Sequence, residues 1–335
     1  IPNLVVTNRM TIAGPGWLEG AGLLGALRLE AGATASGPIT LSDNAAVGTF
    51  TSGIGGRISG TIDTAGYALT LNTTNGMITV SAPIGGAGSL VITNAGTNAI
   101  TGSLANTFAG GTTMSGRGGL VLSKAPNVTA IPGNLTIIGS GIPYSMVYCY
   151  SNNQFGATST VSFTTANYAI LEILSTTQTV AGISCPSAYG IIQNRQFGPE
   201  SGGAARLILS GTASNYFAGS IRNYSAPATN GTLSLMMTGS GTQVLAGVNS
   251  YTGGTTVSNG TLKIDGSLTN ANITIAGGLV NGSGTLFYNL VNSTADLISV
   301  SGTGMIVLSN LTSKALIRGT QTNTEYINVN PNTKV

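Results

Sequence analysis

Short runs in which apolar and polar residues alternate recur along the chain. ALRLE (26–30), YALTL (67–71), MITVS (77–81), ARLIL (205–209) and NITIA (272–276) all have a period of two. That period puts one set of side chains on a buried face and the other on a solvated one, so each run predicts a half-buried strand. Clusters of Gly, Asn, Ser and Pro separate the runs and supply the tight turns and positive φ angles that strand connections need. In the first third of the chain the strand centres fall near Leu27, Val47, Leu69 and Val91. They recur about every 20 to 22 positions, a period that marks a stacked repeat. So constant an interval predicts a β-solenoid, with turns of about 20–25 residues stacked at ~4.8 Å. Roughly 15 such turns would make a rod about 70 Å long. The predicted interior is Leu27, Leu69, Leu71, Val91, Leu120, Leu122, Leu207, Leu209, Leu262 and Ile264, with Thr, Ser and Asn facing solvent between them.

The chain also repeats itself. NTFAGGTTMS (106–115) and NSYTGGTTVS (249–258) are identical at six of ten positions, and Phe108 and Tyr251 preserve an aromatic. Upstream, SLVITNAGT (89–97) is echoed by SLMMTGSGT (234–242), and downstream GLVLS (119–123) by TLKID (261–265). A weaker third copy relates 90–104 to 207–221. Three copies with shared flanks predict a stacked-repeat architecture.

These phrases carry a resemblance. GGAGSLVIT followed by NTFAGGTTMS, and VNSYTGGTTVSNGTLKIDGSL followed by ITIAGGLVNGSGTL, resemble the autotransporter-associated β-strand repeats of bacterial secreted and surface proteins. ALRLEAGATASGPITLSDNAAV (26–47) resembles the unit that precedes such repeats, and the likeness covers roughly 20–125 and 203–310. The resemblance implies a right-handed parallel β-helix placed outside the cell or on its surface, and it implies no reaction. Resembling proteins that export themselves end in a membrane β-barrel of ~10-residue amphipathic strands. Residues 321–335 here read instead as a final strand and polar tail, and the start at Ile1 reads as that of a mature or excised segment.

Composition narrows the chemistry. Twelve basic and nine acidic residues make only 6% of the 335 positions charged, and 50 residues are glycine. Ordinary soluble domains are about 25% charged. In a solenoid, stacked turns set equivalent positions ~4.8 Å apart, so like charges repel where Asn and Thr form hydrogen-bonded ladders. The net charge of +3 comes from scattered residues, so no nucleic-acid footprint is expected. No stretch approaches ~18 uninterrupted apolar residues, so no membrane-spanning helix is expected either.

With no histidine, Ser-His-Asp and Cys-His arrangements and histidine metal ligands are excluded. The carboxylates are scattered. Asp43 and Asp63 lie about one turn apart, with Arg57 between them; Glu172 and Glu200, with Arg195 and Arg206, form the other acid–base grouping. Both groupings read as surface charges, no cofactor or metal is expected, and the chain is expected not to be an enzyme. Cys149 and Cys185 are either two buried thiols or one disulfide.

The pattern predicts solenoid over 1–140 and 203–320, with a final strand or tail over 321–335. Between them, 141–202 is a cysteine-containing section with longer loops or an insertion, because most of the aromatics lie between Tyr144 and Tyr224. Leu4, Val5 and Val6 at one end and Tyr326, Ile327 and Val329 at the other are strand-like and apolar, fit to pair with another copy head to tail. The leading functional expectation is therefore an extracellular structural protein, a fibre subunit assembled end to end. A passenger fragment of an autotransporter-type adhesin and a polysaccharide-binding or polysaccharide-cleaving β-helix are the alternatives. Trp17, Tyr144, Tyr148 and Tyr150 are the candidates for contact with cell-surface or matrix glycans. The YxxxYxY spacing equally suits one packed strand face.

Overall fold

The computed structural model describes residues 3–19, 22–50, 55–93, 95–141, 144–164, 167–195, 203–224, 231–269 and 273–282, together with the strands Thr285–Phe287, Ile298–Val300, Met305–Leu308 and Tyr326–Val329. Every element among the described residues is a strand. The chain forms two compact units, Ile1–Leu171 and Glu172–Val335. In both, strands from successive coils pair in parallel; the exception is the hairpin Leu18–Glu19/Gly22–Leu23, which is antiparallel. The protein is an all-β parallel β-solenoid.

In the first unit one sheet runs through Val5–Val6, Thr34–Ala35, Gly56–Ile58, Met77–Val80, Thr97–Gly102, Gly119–Lys124 and Ser145–Cys149. A second contains Ile39–Thr49, Ala68–Thr73, Ser89–Thr93, Thr112–Met114, Leu135–Ile138 and Thr160–Thr164. The register explains the core. Ala45, Leu69, Leu90, Thr112, Leu135 and Val161 are in line, as are Val47, Leu71, Ile92, Met114, Ile137 and Phe163. All of them are buried. Each inward side chain within a column is thus sandwiched between its equivalents one coil before and one coil after. Fully burying a Leu or Ile in this way is worth roughly 1.5–3 kcal/mol.

In the second unit the corresponding inward columns include Leu207–Leu235–Thr255–Ile273 and Leu209–Met237–Val257–Ile275. Ser214–Phe217, Thr242–Leu245, Thr261–Ile264 and Leu279–Asn281 form another parallel sheet, with Leu245 and Ile264 facing inward.

Two of the predicted core positions differ. Val91 faces outward, half-buried, between Thr70 and Thr113, and its neighbours Leu90 and Ile92 take the interior. Leu69 pairs with Leu90, one position before Val91, and because side chains alternate, a count one too long lands on the wrong face. Leu27 is in register with Val47 but only half-buried, since it lies on an edge strand. Coil length is also more variable than the repeat interval predicts. Thr255 pairs with Ile273, a coil shorter than the predicted range. Leu120 pairs with Val147 and Ile191 with Ser220, coils longer than it. The ladders stay fixed while the connections between them lengthen or shorten.

The register gives a direct test. Leu90→Ala should cost about 2–5 kcal/mol, whereas Val91→Thr next to it should stay within about 0.5 kcal/mol. Urea-denaturation midpoints of the two variants report both; equal losses would put the strand in the other register.

Candidate functional site

The repeated phrase N-x-aromatic-x-G-G-T-T takes its meaning from the coil. Asn249 is fully buried, and its side-chain amide works as an extra peptide unit between coils. Its Oδ1 accepts the backbone N–H of Ile221 at 3.0 Å, and its Nδ2 donates to the carbonyls of Gly247 at 3.0 Å and Ser267 at 3.3 Å. Asn106 does the same in the first unit, accepting from Ile84 N–H at 3.0 Å and donating to the Ala130 carbonyl at 2.8 Å. Each amide therefore joins the coil before to the coil after, satisfying buried backbone groups that would otherwise cost about 1–3 kcal/mol each.

Two residues on, Tyr251 and Phe108 fill the interior, both essentially buried. The glycine pair that follows is required by space and by backbone conformation. A Cβ at Gly253 would lie 2.6 Å from the Leu233 carbonyl oxygen, and one at Gly110 2.6 Å from that of Gly88. Gly254 adopts φ +85°, a conformation that L side chains rarely take. Thr255 and Thr112 then turn inward.

At the aromatic position the two copies differ by one hydroxyl. The Tyr251 hydroxyl shares a 2.6 Å hydrogen bond with Thr255 Oγ1, and burial raises the tyrosine's pKa. Phe108 has no hydroxyl to offer, and Thr112 Oγ1 is buried without a partner.

The predicted glycan-contact residues lie on the outside of the first unit. In Ser145–Cys149, Val147 and Cys149 point inward while Met146 and Tyr148 point outward. Tyr148 is in register with Val121, its ring lies over Gly119, and its hydroxyl donates to Met146 Sδ at 3.1 Å. Tyr150 is 52% exposed, with its ring centroid 6.4 Å from that of Tyr148. Tyr144 packs edge-on against Tyr168 at 5.5 Å. The alternation at Tyr148 and Tyr150 therefore builds an outward aromatic surface rather than a packed core face. Trp17 is 79% exposed beside the antiparallel hairpin and donates from Nε1 to Glu19 Oε1 at 3.1 Å. Arg28 pairs with both Glu19 and Glu30 there.

Of the predicted assembly residues, Leu4 and Val5 are exposed and Val6 is half-buried; Val5–Val6 is a strand that pairs with Thr34–Ala35 at the edge of its sheet. Tyr326, Ile327 and Val329 lie in a strand paired in register with Met305–Leu308. Cys149 and Cys185 are buried thiols outside any disulfide, and the Cys185 thiol donates to the Ser187 carbonyl at 2.9 Å.

The first acid grouping does not assemble. Asp63 is in register with Thr40 rather than Asp43, because the coil there is longer than the gap between the two acids. Asp43 accepts the Asn44 N–H at 2.7 Å and Asp63 the Ala65 N–H at 2.9 Å, while Arg57 donates to Ser81. Glu200 lies outside the described residues. Among the described residues no cluster of three His, Cys, Asp or Glu residues could hold a metal ion.

Glu172, expected on the surface, is fully buried. Its Oε1 accepts a 2.7 Å hydrogen bond from Gln193, whose own Oε1 accepts from Arg222 at 2.9 Å; Glu172 Oε2 has no hydrogen-bond partner. Burial pushes the carboxyl up to about 7 despite the Gln193 bond and the positive charges of Arg195 and Arg222. Lys124 is also buried, donating to the carbonyls of Thr101 at 3.0 Å and Leu104 at 2.7 Å, and burial lowers it to about 8. These groups are ladder components facing backbone and amides, not a nucleophile beside a base.

Residues 236–264 match the family model described as the passenger-associated-transport-repeat. The chain carries an autotransporter passenger repeat. The match contains the Asn249 amide, Tyr251, the glycine pair and Thr255, and it includes both partners of the pairs Met236–Thr256 and Leu245–Ile264, so the passenger repeat is in physical terms more than one full coil with its side-chain amide and aromatic filler. No curated protein and no solved structure matches the chain. No helix among the described residues is long and apolar enough to cross a membrane.

Comparison of the internal copies finds the passenger repeat but not the work of its asparagine. The available signal is that the asparagine is identical in both copies while the residue two positions on varies between Phe and Tyr.

Two outcomes are expected. Tyr251→Phe strands the Thr255 hydroxyl and should cost about 1–2 kcal/mol, whereas Phe108→Tyr gives Thr112 its missing partner and should gain about 1 kcal/mol. Denaturation midpoints of the two single variants should move in opposite directions. Glu172 holds its proton more tightly folded than unfolded, so its contribution is full below pH 4.5 and is lost as pH rises to about 7. The slope in that window is roughly 1.4 kcal/mol per pH unit. Glu172→Gln should flatten this dependence in melts across the same window, and an unchanged slope would assign it to other groups.

Proposed function

We propose that this chain is a non-enzymatic section of an autotransporter-type passenger, secreted by a bacterium or displayed on its surface. The observation that carries the reading is the passenger repeat at 236–264, seated in a stack of parallel coils. Several features support a structural and adhesive role. The interior is consumed by packing, the described carboxylates bond locally or are buried, and the outward positions are mostly small and polar. The Tyr148–Tyr150 and Tyr144–Tyr168 surface offers apolar ring faces with polar tips, the kind of platform on which a sugar ring stacks.

A second reading, a fibre subunit joined head to tail with its own copies, is favoured by one observation: exposed Val5, preceded by exposed Leu4, lies on the edge strand Val5–Val6 with backbone groups available for pairing. Filaments of the purified chain with an axial repeat of about 70 Å would select it.

The passenger reading is tested on cells that make the protein. Proteinase K added to intact cells should remove antibody epitopes from this chain, or the chain should be recovered from the medium. Loss of the epitopes only after lysis would overturn a surface or secreted location.

A further inference from the structure

The outward face of the passenger repeat carries a feature that its structural role does not use. In the second unit, Ala205–Leu209, Leu233–Met237, Thr255–Val257 and Ile273–Ile275 are stacked in parallel. Arg206 is in register with Ser234, and since Leu235 is in register with Thr255, the next position in that outward column is Gly254. Gly254, held at φ +85°, presents no side chain. The column therefore has a gap at Gly254, beside a second outward column that contains Thr256 and Thr274. The result is a cleft of about 380 Å³ whose walls include Arg206, Ser234, Gly253, Gly254, Thr256 and Thr274.

Its chemistry is one-sided. Arg206 is exposed, and among the described residues its guanidinium has no acidic partner and no carboxylate lines the cleft. Ser234 Oγ donates to the Ala205 carbonyl at 3.1 Å, which leaves its lone pairs able to accept. The hydroxyls of Thr256 and Thr274 make no hydrogen bond among the described residues and can both donate and accept. A guanidinium presents a planar fork matched to a carboxylate or a sulfate, and hydroxyls pair with other hydroxyls. The volume lies at the low end of the ~300–1,000 Å³ typical of small-ligand sites, enough for a single sugar unit. In the first copy the same column reads Ala68, Ser89, Gly111 and Asn134, with no cation.

We infer that this cleft binds one acidic sugar unit of a negatively charged polysaccharide, with Arg206 on its carboxylate or sulfate and Ser234, Thr256 and Thr274 on its hydroxyls. The inference goes beyond the passenger reading and does not depend on it, because it is measured on purified protein whatever its location in the cell.

The experiment is calorimetric titration of the purified full chain with heparin, with polygalacturonate and with neutral dextran. At least one of the two polyanions should bind more tightly than dextran. Heparin alone would assign the sulfate, polygalacturonate alone the uronate. Arg206→Gln should weaken binding by about tenfold or more, as loss of a charge-assisted forked contact does, and Thr274→Val by a few-fold. A further variant controls for general cation binding. Lys263→Gln removes a different exposed cation of the same unit, one paired with Asp265 at 2.7 Å, and should leave binding unchanged. An unaltered thermal melt of Arg206→Gln would show that the fold is intact. Equal affinity of Arg206→Gln and the parent chain, equal loss in Lys263→Gln, dextran binding as tight as that of the polyanions, or no binding of either polyanion would overturn the assignment.

Discussion

Each coil of this protein hydrogen-bonds chiefly to the coil before it and the coil after it, and the rest of the structure depends on that arrangement. Strands in a solenoid have no choice of partner, so each backbone N–H and C=O is satisfied one coil away or left unpaired in a dry interior. Where the chain follows the ladder, the requirement is met by register alone. Between the longer ladders, Asn106 and Asn249 add a peptide-like unit from their side chains. The passenger repeat is the sequence expression of that device. Its asparagine bridges three coils, its aromatic fills the space inside, and its glycines let the chain pass within contact distance of the carbonyls of the previous coil.

The same constraint governs charge. Inward positions are stacked on their own equivalents, so a charge there meets neither water nor an opposite charge unless the neighbouring coils provide one. Lys124 is held by two carbonyls, and Glu172 by a glutamine that leans on an arginine. Both are shifted toward their neutral forms by burial, the penalty that desolvation imposes on an incompletely paired ion. That penalty keeps most inward positions uncharged, while on the outward columns the ~4.8 Å stacking of equivalent positions disfavours like charges.

Much of this is legible in the sequence, and the exceptions have identifiable causes. Period-two runs and the repeated phrase suffice for strands, for parallel stacking and for Leu69, Leu71, Leu120, Leu122, Leu207, Leu209, Leu262 and Ile264 as core. Val91 falls on the other face because alternation converts an error of one residue in coil length into a reversal of side. Asp43 and Asp63 fail to meet for a related reason, since the coil that sets Asp63 beside Thr40 is longer than a uniform repeat would make it. The burial of Glu172 has no local signal: Ala169–Ile173 is buried on both faces, whereas alternation presumes one face in water. Tyr148 and Tyr150 suit either face as sequence, and register with Gly119–Lys124 decides it.

The unequal coils, short from Thr255 to Ile273 and long from Ile191 to Ser220, have a consequence for how such a protein changes over generations. Selection on the ladders is severe, because a strand must lie under one set of side chains and over another. Selection on the corners is permissive, because extra residues there leave both neighbouring rungs in place. Insertions and deletions can therefore accumulate at the corners, and duplication of a whole coil adds length without a new folding problem. The lineage can thus redraw the surface it presents to its surroundings while the backbone stack underneath stays the same.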